Sequence, residues 1–137
     1  MTDALAHLPH GPGFRFLDRA LRVEPGARGT FEVRLAADHP ILQAHFPGAP
    51  LVPGVVLIEA LAQAAGCVWG AAEPGLQGVR LAEVSRARFR APVGPGAAIR
   101  LDVEHVRTLG PLRRFAGTAS VEGDVVAEAE LTLVAER

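Results

Sequence analysis

Three polar side chains stand where acid-base chemistry could be done: His45, Glu59 and Gln63. Glu59 and Gln63 are four residues apart in VVLIEALAQAAGCVWG, residues 55–70, a stretch otherwise apolar, so a helix would carry both on one stripe. A carboxyl group held away from water without a cation favours its neutral form, which suits a group that gives or shares a proton. The plainer reading, a Glu that reaches solvent at the rim of a core, stays open on the residues alone. His45 precedes Glu59 by fourteen residues and begins HFPGAPLVPG, residues 45–54, whose three prolines and two glycines make a stiff approach that can hold an imidazole in place. Taken singly, His45 is as readily an ordinary loop or interface histidine. The amides of Gly54 and Val55 would be among the orphan N–H groups at the helix start, where the macrodipole favours negative charge and a polarised carbonyl could be stabilised.

Other chemistry finds little support. The chain has one cysteine, Cys67, which reads as core packing because no base stands at a suitable spacing, and there is no C-x-x-C or other metal-ligand pair. His10 reads as structural, and His7, His39 and His105 belong to no motif. The formal net charge is −1, so no global field draws the protein to nucleic acid or to an anionic membrane. Residues 55–70, interrupted by Glu59 and Gln63, read as too short for a comfortable membrane span. The absence of a disulfide pair and of a secretory pattern in MTDALAHLPHGPGF points to the cytoplasm. The 137 residues suit a single domain, 1–137.

The elements that must hold these groups follow from periodicity. Pro53 stands just before the apolar segment, where its fixed φ and missing N–H are tolerated, and Gly70 followed by AAEPG suggests the stop, so a helix is expected over about residues 54–70. Apolar side chains on all its sides require that other structure wrap it. Strand-like alternation supplies the wrapping: Phe31, Val33 and Leu35 share one face, Ile99–Val103 repeats the pattern, and Phe115–Val121 and Val125–Leu133 flank Glu122-Gly123-Asp124, a hairpin turn. Residues 84–90 place Ala87 and Phe89 inward and Arg86, Arg88 and Arg90 together on the opposite face, a basic row that could steer an acidic partner or could be a solvated face paired with nearby acids. One buried helix with an antiparallel sheet curled around it is α+β.

HFPGAPLVPGVVLIEALAQAAG closely resembles the signature of the FabZ-type 3-hydroxyacyl-acyl-carrier-protein dehydratases, whose active site pairs the His of HFPG with a Glu fourteen residues later, as His45 and Glu59 stand here. LPHGPGFRFLDR (8–19) and ARFRAPVGPG (87–96) are similar to further segments of that family. The resemblance implies a hot dog fold and a hydro-lyase of fatty acid biosynthesis that converts (3R)-hydroxyacyl thioesters to trans-2-enoyl thioesters. It implies His45 as base, Glu59 as acid, Gly54 and Val55 as oxyanion donors, and no metal or organic cofactor; Gln63, one turn beyond Glu59, could hydrogen-bond it or line the substrate site, and a plain structural role is as readily its part. It also implies a homodimer whose sheets join and whose sites each take His45 from one chain and Glu59 from the other, with assembly into a trimer of dimers left open. The substrate carrier would be acyl carrier protein or coenzyme A, with Arg86, Arg88 and Arg90 as candidate carrier-protein contacts.

The chain departs from the family pattern at LPHGPG, which lacks an arginine and a tyrosine, at Ala44, and at Arg80, which aligns with an aromatic tunnel guard; it has no tyrosine at all. Acyl-chain length is therefore not set by the resemblance. A hot-dog thioesterase and a non-catalytic acyl-thioester-binding protein are the rival readings.

Overall fold

The computed structural model describes residues 16–45 and 51–136, with the side chains of residues 43–45 outside that description. Six antiparallel strands form one sheet in the order β1-β2-β4-β5-β6-β3: β1 (Arg19–Glu24), β2 (Arg28–Val33), β3 (Gly78–Phe89), β4 (Ile99–Leu109), β5 (Leu112–Val121) and β6 (Asp124–Glu136). Among the described residues two helices interrupt them, α1 (Pro40–His45) and α2 (Gly54–Ala72). Every expected strand is present. The alternation works as the pleat demands: Phe31, Val33, Leu35, Ile99, Leu101, Val103, Phe115, Ala119, Ala127, Ala129, Leu131 and Leu133 are buried, and the residues between them turn to the other face. The β5–β6 turn is Glu122-Gly123 of the expected Glu122-Gly123-Asp124, Asp124 already pairing with Val121, and its φ values of 50° and 85° are the left-handed geometry that matches strand twist in a two-residue hairpin.

The sheet closes over α2. All residues from Ala60 to Gly70 are buried, so the all-round apolar helix is wrapped, in the hot dog arrangement. Pro53 is its N-cap residue, extended at φ −61° and ψ 142°. By length and composition this helix is long and apolar enough to cross a membrane, contrary to the sequence expectation, because it runs to Ala72 rather than stopping near Gly70; 78% of its most apolar window is buried by the sheet. The Glu73 amide, bonded to the Gly70 carbonyl at 3.3 Å, closes the last turn beyond that glycine.

Two elements have no clear sequence signal. Strand β1 pairs with β2 across a bulge between Ala20 and Arg22, which breaks the alternation that would have marked it. Helix α1 is six residues long, too short for a helical period to show; Pro40 opens it and His39 Nδ1 accepts from the Ile41 amide at 3.1 Å in the manner of a cap. His45 therefore ends a helix, where the sequence suggested the start of an extended loop.

Strand β3 is an edge of the sheet and carries two bulges, between Leu81 and Glu83 and between Ser85 and Arg88. Arg86 sits in the second with φ 53°. The extra residue corrects the expected alternation: Arg88 lies opposite Glu128 and Phe89 opposite the buried Ala127, and Ala87 and Phe89, both expected inward, are exposed, Phe89 at 54%.

Candidate active site

One side of the first turns of α2 is left uncovered. Val55 is 73% exposed and Ile58 and Glu59 are half-buried, in contrast to the sealed stretch from Ala60 onward. A cavity of about 510 Å³ opens here, lined by Val52, Gly54, Val55, Leu57, Phe89 and Arg90 among others. Tight approach shapes its mouth: a Cβ on Gly54 would lie 2.6 Å from Phe89 Cε1, so only glycine lets that ring rest over the helix start.

The amides of Val56 and Leu57 both donate to the Pro53 carbonyl, at 3.0 and 3.4 Å. Those of Gly54 and Val55 make no hydrogen bond among the described residues, as expected of the first N–H groups of a helix. They are donors at the positive end of a helix of 19 residues, beside a largely apolar cavity, an arrangement able to polarise a carbonyl group.

Glu59 is held by its own helix. Gln63, 2% exposed, donates from Nε2 to Glu59 Oε1 at 3.1 Å and accepts at Oε1 from the Phe16 amide at 3.0 Å. The spacing of four residues on one stripe, legible in the sequence, is what lets the two side chains meet. The Phe16 amide had no sequence signal, since a backbone group is present at almost every residue and only the tertiary structure selects this one.

The remaining candidates separate. His45 is the last residue of α1; its side chain and residues 46–50, the FPGAP of the motif, lie outside the described residues, as do His7, His10 and the LPHGPG segment. Phe16, whose amide anchors Gln63, also has its ring 6.4 Å from that of His39 beside the α1 start, and so links the entry of α1 to Gln63. The three arginines do not act as one row. Arg90 lines the cavity and forms an ion pair with Glu128 at 2.5 Å, Arg88 is opposite Glu128 in register, and Arg86 occupies the bulge. Arg80 pairs with Glu136 at 3.0 Å. Cys67 is fully buried in the core, and among the described residues no group of three or more His, Cys, Asp or Glu could hold a metal ion.

A buried helix wrapped by an antiparallel sheet, with free helix-start amides at one opening, defines a protein of the hot-dog class. The FabA-like domain family model matches residues 8–130. The chain is 40% identical over 136 residues to the 3-hydroxyacyl-[acyl-carrier-protein] dehydratase FabZ of Syntrophotalea carbinolica, covering 98% of this chain and 92% of that one. It is 37% identical over 141 residues to the protein of the same name from Pectobacterium atrosepticum, with 100% and 93% covered. Among solved structures, a chain of the dehydratase heterocomplex ApeI:P from Xenorhabdus doucetiae shares the fold with a TM-score of 0.83 at 18% identity, covering 100% of this chain and 93% of that one. The chain belongs to the FabA-like family, among its FabZ-type dehydratases.

Proposed function

We propose that this chain, acting as a single catalytic domain, removes water from (3R)-hydroxyacyl chains carried on acyl carrier protein, giving trans-2-enoyl thioesters in fatty acid biosynthesis. The observation that carries the reading is the Glu59 carboxyl, held by Gln63 on an otherwise apolar helix whose free N-terminal amides open on a cavity. The full-length relatives named for this reaction support it.

The chemistry divides among these groups. A hydrogen next to a thioester carbonyl is weakly acidic, and His45 is the base that takes it. The Gly54 and Val55 amides stabilise the oxyanion that develops, in a mostly apolar cavity where fixed donors act more strongly than in water. Glu59 gives its proton to the 3-hydroxyl, which leaves as water, and a proton returned from His45 through solvent resets the pair. No metal or organic cofactor takes part. Acyl carrier protein is acidic, and Arg86 and Arg88, which have no ion-pair partner among the described residues, are the arginines best placed to steer it; Arg90 is engaged by Glu128.

The working unit is a homodimer in the cytoplasm, each site taking His45 from one protomer and Glu59 from its partner. A 12-residue edge strand, β3, leaves a row of backbone groups unpaired, and Val84, Phe89 and Val55 beside it are 39%, 54% and 73% exposed. A second copy joined along β3 would satisfy the first and cover the others.

The test is the ultraviolet absorbance of enoyl-thioester formation or loss with 3-hydroxybutyryl, crotonyl and longer thioesters of acyl carrier protein. Wild type is expected to turn over, and His45→Ala and Glu59→Gln are each expected to lose about 10²- to 10⁴-fold while remaining folded. Release of free acid in place of enoyl thioester, or binding without turnover, would overturn the reading.

A further inference from the structure

His39, at the entry to α1, takes part in no catalytic step described above. It is half-buried, its ring stands 6.4 Å from that of Phe16, and its Nδ1 accepts from the Ile41 amide at 3.1 Å. A peptide N–H only donates, so Nδ1 is the ring nitrogen without a proton and Nε2 the one that carries it. The contact falls where α1 needs it. Pro40, the first residue of the helix, has no N–H, which makes the Ile41 amide the first donor that the helix start leaves open. A residue before proline is held out of the α region, the backbone state that suits an N-cap, so Pro40 also prepares His39 for that part.

Helix α1 depends on a cap more than α2 does. Six residues leave room for about two i→i−4 hydrogen bonds, too few to offset the cost of starting a helix. Its middle is held by Leu42, 0% exposed, and by Ile41, packed against the core; its start is held by His39. Its last residue is His45, one turn beyond Leu42. A displacement of about 1 Å at a reacting group lowers a rate by as much as roughly 10²-fold, so a helix that carries the base has to be fixed at both its middle and its start.

We propose that His39 is a positioning residue: its Nδ1 caps α1 and thereby fixes the backbone from which His45 acts as general base. The inference rests on the dehydratase reading above and adds to it the group that holds the base in place. His39 works through α1 alone, so its loss falls on the chemical step and leaves substrate binding in place.

Two variants of the full chain test this. His39→Phe keeps a ring against Phe16 and removes the acceptor; His39→Asn removes the ring and supplies one of the best N-cap acceptors. In the enoyl-thioester assay kcat of His39→Phe is expected to fall about 3- to 30-fold, the upper limit being the factor by which loss of a cap moves a helix equilibrium, and His39→Asn to stay within about twofold of wild type. KM should move by less than about threefold in both. A role confined to packing against Phe16 predicts the reverse order of the two variants. Adding His39→Phe to His45→Ala should slow the residual reaction no further, since His39 works through His45. Two readouts need no turnover: ¹H–¹⁵N spectra of the His39 ring, assigned by its loss in His39→Phe, should show a bare Nδ1 and a protonated Nε2, and the ¹³Cα shifts of Ile41 and Leu42 should move toward coil in His39→Phe and return in His39→Asn. Should His39→Phe fail to fold, the ring spectrum and His39→Asn decide the matter. Wild-type kcat in folded His39→Phe, a His39→Asn no better than His39→Phe, losses that multiply in the double variant, or a proton on Nδ1 would each overturn the proposal. An inactive wild type would overturn the dehydratase reading instead, with the cap still decided by the ring spectrum and the ¹³Cα shifts.

Discussion

Gly54→Ala separates the stability of this fold from its chemistry. The added methyl would lie 2.6 Å from Phe89 Cε1 and 2.9 Å from Cδ1, so the ring must retreat by about 1 Å to regain ordinary carbon contact at roughly 3.5 to 4.0 Å. That movement is cheap for the fold. Phe89 is 54% exposed and at the end of edge strand β3, so it gives up little burial, and Ala is better than Gly in a helix by up to about 1 kcal/mol. The two effects nearly offset, and the thermal midpoint should stay within about 4 °C of wild type. The chemistry has no such compensation, because the methyl and the displaced ring both intrude where the Gly54 and Val55 amides face the cavity. Loss of access to one oxyanion donor lowers turnover by about 10²- to 10³-fold, equivalent to roughly 2.7 to 4 kcal/mol at the transition state. The assay is enoyl-thioester absorbance alongside thermal unfolding followed by circular dichroism, with Gly54→Ala/Phe89→Ala as a second variant. Recovery of turnover in the double variant would assign the loss to the ring; none would assign it to the methyl at the amides. Turnover of Gly54→Ala within threefold of wild type would refute the placing of substrate at this helix start.

Two further outcomes follow from the geometry. If each site draws His45 and Glu59 from different protomers, mixing unfolded His45→Ala and Glu59→Gln chains in equal amounts and refolding them should restore about one quarter of wild-type activity, since half the dimers are mixed and each holds one intact site; a mixture as inactive as its components would place both groups in one chain. Glu122 holds φ of 50° beside Gly123 in the β5–β6 turn, and Glu122→Asn, a residue that tolerates this conformation, should raise stability by about 0.5 to 1 kcal/mol in urea unfolding, with no gain counting against strain at that turn.

The sequence by itself determined the architecture of the core. Apolar character from Ala60 to Gly70, broken by Gln63 alone, demands enclosure, and period-two alternation in β2, β4, β5 and β6 provides surfaces of the right kind to supply it; both are local consequences of side-chain direction along helices and strands. The candidate pair of Glu59 and Gln63 was legible for the same reason, since four residues on a helix make neighbours whatever else the chain does. Short or irregular elements were not legible: α1 has too few residues for a period, and the bulges in β1 and β3 shift the register that alternation would reveal. Only the tertiary structure decided that Phe89 rests on Gly54, that Arg90 turns to Glu128 and not to a common row, and that the Phe16 amide holds Gln63. Each is a contact between residues more than 30 positions apart, and such contacts depend on how strands register across the sheet and how that sheet closes on α2, a property of the packed whole that no local pattern of residues contains.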